Sequence, residues 1–444
     1  MVELFVEVNL VFRKVALIVT LVVLALLSRT AFAGVQEDFI ASGRQNNILS
    51  DQVFLDTRSM TVGEVQAFLT LKGSFLKDYV DNSAAGRGRS AAQIIWDAAQ
   101  GKYEAGGAWN GIVINESTGS VSPKVILVYL QKEQGLLTRS VWNDWAMTAS
   151  MGYFCYAGVT GDYNGNNVKD IYEGFTKQVE NGAWQLRYNY ERAQGTGFSD
   201  YQVGQTFHTS DGYDVLLSNR ATSSVYRYTP YVFWSAYNVA NIYDSYFDPA
   251  KSLLVEFLVT KVLSDGWVMI EDQNRTRGIK LHSPISLLAG DKVDARGTIT
   301  TMDGQKLISA PDEVVKVSSG NTLPRYLATH EKNIIEACNG RGCPISGLRV
   351  TTWGRVIKTP MRVDPYVGYY YILLDDRTEV YNPQDHSIGY RVYYKASDFP
   401  NLDRDLVEED FCLIRGVVES VGHTTIPALT NNLPIIWADS IEKQ

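Results

Sequence analysis

"SPKVILVYLQKEQGLL", Ser122 to Leu137, decides how the first half of the chain is read. Ser122 suits a helix N-cap and Pro123 the first helical position, where a missing N–H leaves nothing unpaired. Six apolar residues follow without a break, Val125 to Leu130, so the segment reads as a buried helix. Its end is unusual: Lys132, Glu133, Gln134. At about 100° per residue Glu133 shares a face with Ile126, Tyr129 and Leu130, which points its carboxylate along the buried side. A carboxyl group withdrawn from water holds its proton to higher pH and becomes a proton donor near neutrality. Glycoside cleavage needs such a donor at the leaving oxygen.

Other helices surround this one. Thr61-Val62-Gly63-Glu64 is a capping-box pattern that opens the run Val65, Phe68, Leu69, and Ser90 opens another at Ile94, Ile95 and Ala98. The spacing predicts a further helix from Phe175 through Val179, Ala183, Leu186 and Tyr190, and a last one over roughly 234–246. Between the second and third lies 101–121, rich in Gly, Asn and Ser, which reads as a surface insertion.

Arg13 and Lys14 precede an apolar run from Val15 to Leu27, and Ala31-Phe32-Ala33 has the small residues of a leader-peptidase site. The expectation is an exported protein whose signal peptide is 1–33; an uncleaved leader would be its one membrane contact. A chain of 444 residues holds about three domains. Its net charge of −8 argues against a dedicated nucleic-acid binder, which needs clustered Lys and Arg. The 26 tyrosines suit both sugar binding and β-sheet cores.

From about Lys251 the texture changes to short alternating strands, and a repeat appears. "DKVDARG", Asp291 to Gly297, matches "DFCLIRG", Asp410 to Gly416. Upstream lie the aromatic strands "WVMIED" from Trp267 and "YYILLDD" from Tyr370, then "GIKL" at Gly278 and "GYRVYY" at Gly389. This order, present twice, resembles the five-stranded OB-like barrel. The expected class is therefore multidomain α+β. A mainly α-helical domain at 34–250 precedes OB-like barrels at 251–319 and 347–444, with a linker at 320–346. In the first barrel region acidic and basic side chains balance, with no basic stripe. Trp267 and Tyr369-Tyr370-Tyr371 stack on sugars or fill a barrel core, and core is the better reading.

The phrases "SPKVILVYLQKEQGLL", "AMTASMGYFCY", "YEGFTKQVENGAWQLRYNYE" and "ATSSVYRYTPYVFW" resemble an uncharacterised group of exported bacterial proteins, some labelled haemagglutinin or cell-wall hydrolase-like. Their shared domain corresponds to 48–247 and resembles the lysozyme-like superfamily of lysozymes and lytic transglycosylases. The resemblance implies peptidoglycan or another envelope glycan as partner, Glu133 as general acid, and Gln134, Gly152, Tyr153, Tyr228 and Tyr231 as substrate-binding residues. Lytic transglycosylases usually carry Glu-Ser where this chain has Glu133-Gln134, and the "MGYF" stretch from Met151 only partly matches their glycine turn. No second carboxylate stands out: Asp144 and Asp162 are nearest, and a transglycosylase dispenses with one by using the sugar's own hydroxyl. The alternatives are a non-catalytic surface glycan-binding or adhesion module, and a Glu133 that is merely solvated or salt-bridged.

"DYNGNNVKDIYE" places Asp162, Asn164, Asn166, Asp170 and Glu173 at positions 1, 3, 5, 9 and 12 of a calcium loop. Asn167 replaces the turn glycine, and the same residues are also plain turn chemistry. A structural calcium is thus an expectation, while the proposed reaction requires no cofactor. Cys338 and Cys343 flank a flexible loop and are expected to form a disulfide. Cys412 reads as a buried thiol and Cys155 stands alone. No nucleophile elbow, phosphate loop or His-Glu-x-x-His helix occurs.

Overall fold

The computed structural model describes residues 36–103, 108–195, 197–263, 265–275, 277–302, 305–329, 334, 345–364, 368–377, 390–419 and 435–444. The expected leader at 1–33 and the expected Cys338–Cys343 bridge lie outside the described residues. The chain divides into two compact units between Asp248 and Pro249. Among the described residues no helix is long and apolar enough to cross a membrane.

The first unit is mostly helical: α1 (Asp51–Leu55), α2 (Val62–Leu71), α3 (Ala91–Ala99), α4 (Pro123–Gln134), α5 (Asp144–Thr148), α6 (Phe175–Arg192), α7 (Arg220–Tyr228) and α8 (Tyr237–Tyr246). Local chemistry sets several starts. Thr61 and Glu64 close a reciprocal capping box on α2, and the Ser90 hydroxyl accepts the Gln93 N–H at α3. Ser122 caps α4, with Pro123 in its first turn. Val125 to Leu130 are fully buried, each aliphatic burial contributing about 2 kcal/mol, so α4 is an axis of the unit. Gly135, at φ 65°, ends it with its N–H on the Gln131 carbonyl. The helix expected from Trp234 begins differently: a π-turn at Val232–Ala236 leads into α8.

The stretch 101–121 is no mere surface insertion. It folds into a hairpin, Ala108–Trp109 against Ile112–Val113, and then buries Ile114, Ser120 and Val121.

The second unit holds two barrels of the same strand order. In the first, β1 (Ser252–Val262), β2 (Trp267–Glu271) and β3 (Gly278–His282) form an antiparallel meander, and β4 (Lys292–Gly297) returns to β1. A short hairpin of β5 (Thr300–Met302) and β6 (Gln305–Ile308) follows. The closing strand is split: β6 runs parallel to β3, and β7 (Glu313–Ser318) antiparallel to β4. In the second barrel, β8 (Leu327–Ala328), inside the expected linker, pairs with β9 (Arg349–Asp364). Then come β10 (Tyr369–Asp375), β11 (Tyr390–Lys395), the short α9 (Leu402–Asp405), β12 (Phe411–Glu419) and β13 (Ile435–Lys443). Strands β9, β10, β11, β13 and β12 close into a five-stranded OB-like barrel, with β11 and β13 parallel.

The repeated motif thus occupies β4 and β12, and its glycine has a reason in both. A Cβ on Gly297 would stand 2.7 Å from Ile308 Cγ2, and one on Gly416 2.3 Å from the Trp437 carbonyl. Tyr370 packs against the second barrel's core, as does the buried thiol of Cys412. Tyr369 belongs elsewhere: with Tyr393, Ile435 and Trp437 it forms a separate cluster against which Leu263 of the first barrel packs. Lys280 of β3, 1 % exposed, donates to Glu419 Oε1 of β12 at 2.6 Å, and Trp437 Nε1 donates to Glu419 Oε2. A Cβ on Gly278 would fall 1.2 Å from the Ser346 carbonyl oxygen, so the barrels meet backbone to backbone there.

Candidate functional site

Glu133 ends α4 with its side chain 22 % exposed, which excludes a freely solvated residue. It is not alone. The ammonium of Lys132, 4 % exposed, lies 2.5 Å from Glu133 Oε1 and 3.4 Å from Thr229 Oγ1. On the other side Gly152, at φ 68°, packs so closely that a Cβ there would stand 3.1 Å from Glu133 Oε2. Both requirements, positive φ and close approach, call for glycine. Burial first, and the Glu133 charge second, pushes up the Tyr129 and Tyr228 hydroxyls and the Cys155 thiol, so all three stay protonated at neutral pH. The Tyr129 hydroxyl is buried without a hydrogen-bond partner among the described residues.

The other expected contact residues divide. Tyr153 stays near: its backbone is pinned by Gln178, whose Oε1 accepts the Tyr153 N–H at 3.0 Å and whose Nε2 donates to the Tyr153 carbonyl at 2.9 Å. Tyr228 packs edge-on to Tyr129, and its hydroxyl donates to the Met151 carbonyl at 2.8 Å, so it braces the glycine loop. Tyr231 starts the π-turn, and neither it nor Gln134 lines the cavities described next.

Two open cavities mark the surface of this unit. One, of about 900 Å³, is lined by Tyr79, Asp81, Trp142, Asp144, Glu173 and Phe175, among others. The other, of about 1100 Å³, is lined by Tyr103, Trp109, Tyr153, Tyr172, Glu180 and Trp184, among others. Ala85 and Lys177 line both, so they adjoin. Glu133 lines neither; Tyr153, next in sequence to Gly152, lines the second cavity. Asp81 acts as a remote cap for α6, whose own N-cap, Gly174, offers no side chain. It accepts from Thr176 Oγ1 at 2.5 Å and from the Ser83 N–H at 2.9 Å, and these bonds hold its carboxyl below the usual range despite burial. Glu180 is pushed up by burial, against the opposing pull of Arg89, which bridges it to Asp97.

Nothing local in the sequence marks the role of Lys132 or of most of these aromatics. Trp109, in a Gly- and Asn-rich stretch, was the available signal: a large apolar ring in turn chemistry has no core to fill.

In the Asp162–Glu173 loop, Asp162 accepts backbone N–H groups from Gly165, Asn166 and Asn167, and Glu173 Oε1 accepts the side-chain amides of Asn164 and Asn166, each at 2.7 Å. Asp170 Oδ1 accepts the Tyr163 N–H. Asn167, at φ 64°, takes the left-handed conformation expected of the missing glycine. All the candidate ligands therefore share one loop, but the amides turn nitrogen, not oxygen, toward Glu173. Among the described residues no three His, Cys, Asp or Glu side chains gather as a metal site.

No family model and no curated protein matches the chain. Among solved structures, it is similar in part to an OBody, AM3L09, bound to hen egg-white lysozyme, at 17 % identity over 27 % of this chain and 96 % of that one, with a TM-score of 0.19. It is also similar to asparaginyl-tRNA synthetase from Pyrococcus horikoshii, at 15 % identity over 26 % of this chain and 22 % of that one, with a TM-score of 0.18. Likenesses at this level carry no argument about either unit.

Proposed function

We propose that this is an exported protein that cleaves the β-1,4-linked glycan of peptidoglycan, by hydrolysis or transglycosylation, with Glu133 protonating the leaving oxygen. The observation that supports it best is the placement of Glu133 at the end of the apolar helix α4, largely drawn out of water and pressed against Gly152. The lysozyme-like resemblance of the helical unit agrees with this role. Cleavage without a second carboxylate fits transglycosylation, in which the sugar's own hydroxyl attacks. The OB-like barrels are accessory, holding the catalytic unit at the envelope.

A second reading, a glycan-binding or adhesion module without catalysis, is favoured by one observation: Glu133 lines neither aromatic cavity. Purified peptidoglycan incubated with the full chain and with Glu133→Gln separates the two. Soluble muropeptides from the parent alone support cleavage, and anhydro ends identify transglycosylation. Co-sedimentation with the wall but no soluble product from either supports binding alone.

A structural calcium in the Asp162–Glu173 loop is a separate proposal. Loading it requires the Asn164 and Asn166 amides to turn their oxygens inward, and no chemical step depends on it.

A further inference from the structure

We propose that the two adjoining cavities are one groove for a glycan strand bearing sugar-borne carboxylates, and that Lys177, at their junction, selects that charge. The inference rests on the reading of this unit as glycan-directed, but not on catalysis by Glu133.

Aromatic faces line both halves. Tyr79 and Trp142 serve one, Tyr103, Trp109 and Trp184 the other. Trp184 is held flat by stacking on Tyr188, with centroids 4.9 Å apart and planes 11° apart. Trp109 is 62 % and Trp142 52 % exposed, rings that no core claims. Flat, rigid, partly wet platforms in an open groove suit the apolar faces of pyranose rings, whose hydroxyls then point at polar walls.

Charge narrows the ligand. Each carboxylate lining the groove already has a partner: Asp81 with Thr176, Asp144 with Trp142 Nε1, Glu173 with two amides, and Glu180 with Arg89. Lys177 differs. Its ammonium makes no hydrogen bond or ion pair with any described residue, although the side chain is half-buried and lines both cavities. A cation held beside aromatic walls without a counter-ion favours an incoming anion. Asp81, Asp144 and Glu173 nearby disfavour a dianionic phosphate, so a monovalent carboxylate on one sugar, flanked by neutral sugars, is the matching pattern.

The test is calorimetric binding to the full-length Glu133→Gln protein, which suppresses turnover. Three probes are compared: neutral chitohexaose, peptide-free peptidoglycan glycan strands carrying a free carboxylate on alternate sugars, and the same strands with those carboxylates amidated. The free-acid strands should bind about tenfold more tightly than the other two, the scale of one charge-assisted hydrogen bond. Lys177→Met should remove that preference, Lys177→Arg should keep most of it, and Trp109→Ala should weaken all three ligands alike. Thermal melts of each variant report whether it is folded. Equal binding of acid and amidated strands, or a preference that survives Lys177→Met, overturns the role of Lys177 and leaves the glycan reading standing. If no probe binds, both fall.

Discussion

The ammonium of Lys132 and the carboxylate of Glu133 meet at 2.5 Å although the two residues are consecutive on a helix, where side chains ordinarily diverge by about 100°. Both long side chains bend toward the junction of α4, the Gly152 loop and Thr229. Removing the charge of one partner should therefore expose the cost of the other. Lys132→Met should lower the stability of the helical unit by about 3 kcal/mol, read from urea unfolding, and move the alkaline limb of the pH profile of peptidoglycan cleavage, the limb a general acid sets. An unmoved profile would assign Lys132 to packing alone.

Gly152 offers a cleaner perturbation. An alanine there must hold a positive φ, at about 1 kcal/mol, and its methyl presses on the carboxylate. Gly152→Ala should fold, melt slightly lower, and lose wall-clearing activity by an order of magnitude or more while still sedimenting with peptidoglycan. Full activity would show that the carboxylate has room to move.

The remote cap on α6 has a pH signature. The folded-state pKa of Asp81 lies below its unfolded value, so its contribution is fully present above about pH 4 and is lost as pH falls through the folded value. Asp81→Asn should cost about 1 kcal/mol at neutral pH and flatten the acid side of the stability curve. Urea midpoints of the two proteins between pH 2 and 6 check this, and parallel curves would remove Asp81 from the account.

For the loop at Asp162–Glu173, millimolar calcium should raise the melting temperature by a few degrees, and Asp162→Ala should abolish the rise. The same melt with and without calcium in both proteins would leave only turn chemistry.

The buried pair in the second unit gives a stability test free of functional assumptions. Lys280→Met alone leaves Glu419, fully buried, without its cation and with Trp437 Nε1 still donating to it, and should cost about 3 to 5 kcal/mol. Lys280→Met combined with Glu419→Leu should recover most of that loss. An additive double variant would mean that the two side chains do not share their energy.

Much of this architecture was legible because local chemistry carried it. The Thr61–Glu64 box, the Ser90 and Ser122 caps and the doubled strand order need only near neighbours in sequence. Helix α7 was not legible, since Thr222, Ser223 and Ser224 look like loop residues. Its stability comes from burial, with Ile48 N–H donating to Thr222 Oγ1, Ser223 to the Tyr201 carbonyl and Ser224 to the Leu186 carbonyl. The pairing at Glu133 was hidden for a similar reason. Periodicity puts Glu133 on the inner face but says nothing of Lys132, which turns inward because Thr229 and the Gly152 loop arrive from elsewhere in the chain. The groove was hidden too, because its aromatics are scattered from Tyr79 to Trp184 and only the fold gathers them.

The contact between the barrels has a mechanical meaning. With Gly278 seated on the Ser346 carbonyl and Lys280 locked to Glu419, the first barrel covers the Tyr369–Tyr393–Trp437 side of the second. A change at Gly278 or Lys280 in the first barrel is therefore felt in the second through Ser346 and Glu419, so the two copies of the repeat answer to one seam.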